Sequence, residues 1–248
     1  MIGGGYISME FATFFNELGC KVTVLERMPE ILPMIDDDIL NLLKDIYIKK
    51  GVEFKTNINI FELKKIRNFI NISHNDVRNS KSRINKLKAE QIFIATGRIP
   101  NTDQLNLNAA NIKVGKRGNI KINNLLETSN KRVYAVGDVN ARAMFAHAAK
   151  RQTRIALNNA FKKIKQKMDF SKIPWAVFTN PPVAGVGLSE KNANEKYNIG
   201  ILKASFSRAG RAKIIDETDG FIKVIYNNDN NKILGTVIIG PHADEIIH

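Results

Sequence analysis

The sequence predicts an α/β protein whose carboxyl-terminal part turns to α+β. Three observations carry this. A glycine-rich turn, "GGGYIS", runs directly into a helical pattern and then an apolar strand. Short β-branched runs go on alternating with helical stretches as far as about residue 168. Beyond Asp169–Pro174 the apolar runs follow one another through turn residues, as in an antiparallel sheet.

Tyr6 to Leu18 reads as the first helix, with Ile7, Phe11, Phe14, Phe15 and Leu18 spaced as a buried face and Gly19 placed to end it. "CKVTVLE" follows as a strand ending at Glu26. Only Met1 and Ile2 precede the turn, so the sequence is expected to begin inside its first strand. The acidic residues Asp36 to Asp38 open a second helix, carried by Ile39, Leu42, Leu43 and Ile46 and stopped at Gly51. "VEFKTNINIF" reads as one strand and Glu62 to Glu90 as further strands and turns. "QIFIATG" and "RVYAVGDV" both read as buried strands feeding a functional turn, and a helix is expected from Met144 to Lys167. "PWAVFTNPPVAGVGLSE", "GILKASFS" and "GFIKVIYNNDNNKILGTVIIG" supply the antiparallel strands, with "NNDNNK" as a hairpin turn. "PHADEIIH" reads as the first turn of a helix.

The bulk properties narrow the function classes. The 248 residues suffice for one large or two ordinary domains, and 44% apolar with 25% charged residues exclude a disordered chain. No apolar run reaches the roughly 18 residues of a membrane helix, and no secretory leader is visible, so a cytoplasmic protein without a membrane partner is expected. The single cysteine, Cys20, excludes an internal disulfide framework or a Cys/His zinc site and reads as packing at the head of a strand. The net charge of +14 raises nucleic acid as a partner. Its bases scatter through "NSKSRINKLK" and "FKKIKQKMDF" without interleaved aromatics, so a solvated basic surface is the expectation instead.

Gly3, Gly5 and Ser8 fall at the G-x-G-x-x-G spacing, with serine in the third place. The first glycine permits a tight turn, the second lets backbone N–H groups approach a pyrophosphate, and the helix N-terminus adds partial positive charge. Glu26 ends the next strand roughly 20 residues on, where a carboxylate accepts from adenosine ribose hydroxyls. Its charge repels a 2′-phosphate, which favours NAD over NADP. A Rossmann-like dinucleotide-binding domain is the expected start of the chain.

"GGGYISMEFATFFNELGCKVTVLE", "IFIATGRIPNT", "VYAVGDVNARAMFAHAA", "PPVAGVGLSE" and "SRAGRAKIIDETDGFIKV" occur in that order. Together they resemble the flavoprotein disulfide reductases (class I pyridine nucleotide-disulfide oxidoreductases), and most nearly the dihydrolipoyl dehydrogenase branch. The resemblance implies an NAD-binding domain over 1–97, the returning part of an FAD-binding domain over 98–168, and an α+β dimerisation (interface) domain over 169–248. It implies that Gly3, Gly4, Gly5 and Ser8 lie along the NAD pyrophosphate, with Glu26 on the adenosine ribose. Glu10 would stand near the nicotinamide end, and Ile60 and Gly97 would add NAD contacts. Asp138 would bond the ribityl chain of FAD. Met144, Phe145, Ala146 and His147 would form the helix start beneath the isoalloxazine, where a helix dipole stabilises negative charge on a reduced flavin.

The implied activity passes hydride between NAD and FAD and electrons between FAD and a dithiol/disulfide. The implied partners are a second copy in a homodimer and a lipoyl-carrier protein or small disulfide substrate. Glutathione-reductase-like and mercuric-reductase-like enzymes are alternatives within the same architecture; Glu26 speaks against those that use NADPH. A non-catalytic nucleotide-binding or nucleic-acid-binding remnant is the alternative from another class. The resemblance's first flavin-binding glycine turn, its C-x4-C pair and its His-Pro with glutamate have no counterpart in these 248 residues. The chain is therefore expected to be a fragment lacking both ends. No residue is assigned as catalytic acid, base or nucleophile, and His242 is expected to be exposed.

Overall fold

A computed structural model of the chain describes residues 1–79 and 83–248. Residues 80–82, near the start of the basic stretch "NSKSRINKLK", lie outside the described residues. The chain falls into two compact units, residues 1–97 with 176–248, and residues 98–175.

In the first unit the glycine turn leads into α1 (Tyr6–Glu17), and β1 (Thr23–Leu25) and β2 (Glu53–Lys55) pair in parallel with α2 (Asp37–Lys49) crossing between them. Ile2 bridges Leu25 and Ile94 in parallel. The glycine turn, Glu26 and the end of the 91–97 segment therefore share the carboxyl edge of one parallel arrangement. Sequence explains α2 closely. Asp37 and Asp38 in the first turn and Lys49 in the last complement the helix dipole. Ile39, Leu40, Leu43, Ile46 and Tyr47 recur at helical spacing and are buried.

β3 (Ile58–Ile66), β4 (Phe69–Asp76) and β5 (Asn85–Ala89) form an antiparallel meander. The rest of this unit is built on a five-stranded antiparallel sheet. It comprises β6 (Trp175–Val177), β7 (Val183–Gly187), β8 (Ile199–Ser205), β9 (Phe221–Asn227) and β10 (Ile233–Ile239), in the order β6-β7-β10-β9-β8. The expected hairpin joins β9 to β10, with Asn231 at φ 57°. Short helices α4 (Glu190–Asn194), α5 (Gly210–Ile214) and α6 (Ala243–Ile246) decorate the sheet, and His242 is exposed as expected.

A buried cation ties this sheet to α2. Lys223 of β9 is fully buried, and its Nζ lies 2.7 Å from Asp36, 2.7 Å from Asp38 and 3.0 Å from Glu190. The Glu190 N–H also donates to the Asp36 carboxylate at 3.0 Å. Burial pulls the Lys223 ammonium toward neutrality, but its hydrogen bonds to the three carboxylates and the Asp36 charge prevail and hold it above the usual lysine range.

The second unit, residues 98–175, is mostly irregular. Its helix, α3 (Ala146–Phe161), packs Ala148, Ile155 and Ala156 against Leu126, Met168 and Ile173. No helix among the described residues is long and apolar enough to cross a membrane.

Several sequence expectations are corrected. The core side of α1 is Ser8, Met9 and Ala12, whereas Ile7, Phe11, Phe14 and Leu18 are exposed. Small residues let the helix approach the glycine turn, and the aromatics gather outside, with the Phe11 ring 4.4 Å from that of Phe93. "VEFKTNINIF" is two strands in two sheets, divided at Asn57, whose φ of 56° is left-handed. "QIFIATG" and "RVYAVGDV" make only isolated bridges, Ile94 to Ile2 and Tyr134 to Glu127, and Ile94 is exposed. Neither has the flanking partners among the described residues that a buried strand needs. α3 stops at Phe161, short of Lys167, because the buried Asn159 side chain bonds Leu125 and Gln166 backbone and turns the chain away. Cys20 is exposed rather than packed.

Candidate nucleotide-binding site

The glycine turn is shaped by its neighbours. Gly3 sits at φ 100°, and a Cβ there would come 2.4 Å from the Ala95 carbonyl oxygen. A Cβ at Gly4 would lie 2.7 Å from Ile31 and 3.0 Å from the Glu26 carboxylate. Gly5 differs: a Cβ there would meet nothing within 4 Å. Its exposed backbone caps α1 without a side chain, and the first turn of that helix holds no acidic residue. Open space over a bare helix N-terminus is a cradle for an anionic group. Ser8 is fully buried, and its hydroxyl has no hydrogen-bond partner among the described residues.

Glu26 closes the other side. One carboxylate oxygen accepts from the Gly4 N–H, the other from the Met28 N–H at 2.7 Å. A carboxylate has about four acceptor positions, so two remain for hydroxyl donors. The Ile58 N–H donates to the Glu26 carbonyl at 2.9 Å, which starts β3 beside this residue; Ile60 follows, half-buried, next to a register shift between Ile60 and Glu62. Gly97, at φ 122° and exposed, ends the segment that touches Gly3. The structure thus brings Gly3, Gly4, Gly5, Ser8, Glu26 and Gly97 to one edge, the position where open α/β sheets bind ligands. Glu10 is half-buried on α1, and its Oε1 accepts from the Phe178 N–H at 3.1 Å.

The second unit carries the remaining sequence-predicted residues. Asp138 is exposed and pairs with Arg98 at 3.0 Å, while the same guanidinium donates to the Met144 carbonyl at 3.1 Å. Arg98 therefore links Asp138 to the segment that opens α3. Gln152, fully buried, accepts from the Gly137 N–H at 3.0 Å and from Asn140, and its own amide nitrogen has no partner among the described residues. Phe145 is the N-cap of α3, Met144 precedes it, and Ala146 and His147 begin the helix. The Phe145 and His147 rings stack at 5.4 Å, and the His147 Nε2 lies 2.7 Å from the Pro174 carbonyl, so that nitrogen carries the proton.

Sequence reasoning missed Arg98, Gln152 and Phe178. Arg98 had a signal, since it directly follows the predicted functional glycine Gly97. Gln152 and Phe178 had none, because their partners are distant in sequence.

Residues 1–153 match the family described as pyridine nucleotide-disulphide oxidoreductase, and residues 173–248 match the dimerisation domain of that name. A dihydrolipoyl dehydrogenase from Thermus scotoductus is 35% identical over the whole chain, which covers 53% of that protein. A mercuric reductase from Staphylococcus aureus is 33% identical, again over the whole chain, with 45% of that protein covered. Among solved structures, the HOCl-induced flavoprotein disulfide reductase RclA from Escherichia coli superposes with a TM-score of 0.88 at 29% identity, covering 99% of this chain and 55% of that one. The chain spans about half the length of the curated relatives it matches.

Proposed function

The chain belongs to the pyridine nucleotide-disulphide oxidoreductase family, flavoproteins that use FAD and NAD(P), and from that premise we propose that it serves an NAD-dependent dithiol/disulfide oxidoreductase of the dihydrolipoyl dehydrogenase type. The flavin, when bound, relays electrons between the nicotinamide and the sulfur centre. In this reading residues 1–97 bind NAD: Gly3, Gly4, Gly5 and Ser8 line the pyrophosphate, Glu26 accepts from the adenosine ribose, and Glu10, Ile60 and Gly97 border the rest. Residues 98–168 contribute Asp138 to the ribityl chain and the Met144–His147 helix start to the flavin ring. Residues 169–248 pair two copies, the reductant is a dihydrolipoyl group on a carrier protein or a small dithiol, and the setting is the cytoplasm.

The observation that carries this reading is the Glu26 carboxylate, held between the Gly4 and Met28 N–H groups at the edge of the open Gly5 cradle. Two acceptor positions facing a ribose suit NAD, and a negative charge there opposes a 2′-phosphate. Calorimetric titration of the chain with NAD and NADP tests it. Tighter binding of NAD is expected, and equal or tighter binding of NADP overturns it. The 33% match to a mercuric reductase supports a second reading, in which the sulfur centre reduces Hg(II); an NADP preference would favour that one.

A further inference from the structure

The segment that follows β6 lies along one flank of α1, joined to it at three levels. At the first, the Phe178 N–H donates to Glu10 Oε1 at 3.1 Å. One turn on, the Tyr47 hydroxyl, from α2, bonds the Thr13 hydroxyl and accepts from the Asn180 N–H at 3.3 Å. At the third, the Asn180 side-chain amide donates to Glu17 Oε1 at 2.6 Å. Lys50 closes the joint by donating to the Asn180 carbonyl at 3.0 Å. Glu10, Thr13 and Glu17 stand at i, i+3 and i+7, so they share one face of the helix.

The consequence falls on Glu10. One of its oxygens is fixed by a backbone N–H, and the other, Oε2, has no partner among the described residues. A half-buried carboxylate held in this way is a directed acceptor for an N–H donor. We propose that Asn180 is a positioning residue for the nicotinamide end of the cofactor: its bonds to Glu17, Tyr47 and Lys50 hold the segment so that Phe178 fixes Glu10, and the free Glu10 oxygen accepts from the carboxamide N–H of NAD. This deepens the NAD reading and rests on its placement of Glu10. Asn180 itself touches no cofactor, and the adenosine end is anchored separately at Glu26.

The test compares NAD with ADP-ribose, which keeps the pyrophosphate and adenosine and lacks the nicotinamide. Both are titrated calorimetrically into the wild-type chain and into the Asn180→Ala, Glu17→Ala and Glu10→Gln variants. Asn180 and Glu17 are exposed, so either variant probes the joint at little cost to the core. The expected result is that the wild type binds NAD more tightly than ADP-ribose. Each of Asn180→Ala and Glu17→Ala should then weaken NAD roughly two- to ten-fold, the scale of one hydrogen bond, with ADP-ribose unchanged. Amide exchange at Phe178 should quicken in both variants.

If Glu10→Gln reduces the preference for NAD while Asn180→Ala and Glu17→Ala keep it, the positioning role is overturned and the NAD reading survives. If the wild type binds both ligands equally, the placement of Glu10 at the nicotinamide falls and takes the proposal with it. Equal losses for NAD and ADP-ribose in Asn180→Ala would mark general loosening of the fold and would also overturn it.

Discussion

In the proposed site Glu26 sets the cofactor choice, and two backbone N–H groups hold it in place. Its carboxylate is shared between the Gly4 and Met28 N–H groups, so its orientation is set before any ligand arrives, and little ordering remains to oppose binding. Replacing it by arginine removes a charge-assisted hydrogen bond worth about 1.5–3 kcal/mol and puts a cation where a 2′-phosphate would lie. Glu26→Arg should therefore weaken NAD by roughly ten- to a hundred-fold and narrow or reverse the gap to NADP. Parallel titrations of the two cofactors against wild type and variant check this, and an unchanged preference removes Glu26 from the ribose. Its place beside the glycine turn was legible because its spacing from the glycines follows from the local β-turn-α-β path. Gly3 and Gly4 were legible for the same reason: the backbone they spare, at Ala95 and Glu26, lies within one such unit. Arg98 and Asn180 act on groups 40 or more residues away in sequence, a relation that only the assembled fold creates.

At the scale of elements, the sequence conveyed which segments are helices better than which faces they bury. In α2 the two agree at Ile39, Leu43 and Ile46, while Leu42 is only half-buried and Leu40 and Tyr47 join the buried face, and its acidic start meets Lys223. In α1 they part, since the helix has two apolar sides and the one of small residues packs inward while the aromatics stack on Phe93. Periodicity counts bulk and cannot weigh close approach to a turn. Asn159 shortens α3 by the same kind of tertiary competition, taking up the Gln166 N–H and carbonyl that a continuing helix would have used.

The joint between α2 and the antiparallel sheet yields a prediction about stability. Lys223 offsets three carboxylates with no exposure of its own side chain, so Lys223→Met should cost about 3–5 kcal/mol, chiefly by leaving the buried Asp36 carboxylate without a cation. The pH dependence follows from two directions. The Lys223 ammonium is held above the usual lysine range, so its contribution is complete below an unfolded pKa of about 10.4 and is lost as pH rises through the folded value. Burial raises the Asp38 carboxyl, but its bonds to Lys203 and Lys223 and their charges outweigh that and leave it low. Its contribution is complete above an unfolded pKa of about 3.9 and is lost as pH falls through the folded value. Urea unfolding of wild type and variant should show a constant difference between about pH 5 and 9 that shrinks on either side. A difference under about 1 kcal/mol at neutral pH would mean that the cage holds no buried charge.

At the scale of the whole molecule, residues 173–248 match a dimerisation domain, and obligate interfaces of that kind often bury about 2,000 Å² or more. The chain is therefore expected to self-associate, as weak dimers or larger species, and light scattering that shows a monodisperse monomer at high concentration counts against that assignment. Chemistry at this scale is bounded by sulfur. Exchange between a dithiol and a disulfide needs a thiolate, a second sulfur and a group that moves the proton. The 248 residues hold one cysteine, Cys20, which is exposed. They contain neither a C-x4-C pair nor a His-Pro motif. For the proposed flavin contacts they offer Asp138 and the start of α3, but no second glycine turn of the kind at Gly3–Gly5 that could hold another pyrophosphate. The proposed NAD contacts ask for less, since the open turn at Gly5 and the Glu26 carboxylate are both in place. The 248-residue chain, purified alone and given free FAD, should thus bind NAD yet show no lipoamide-dependent oxidation of NADH. Two measurements decide it: turnover with lipoamide, and retention of yellow flavin through gel filtration. Turnover would require a sulfur pair that this chain cannot form within itself, and retained flavin would require a pyrophosphate site beyond the one at Gly3–Gly5; either result would overturn the division of roles drawn from Asp138, His147 and Glu26.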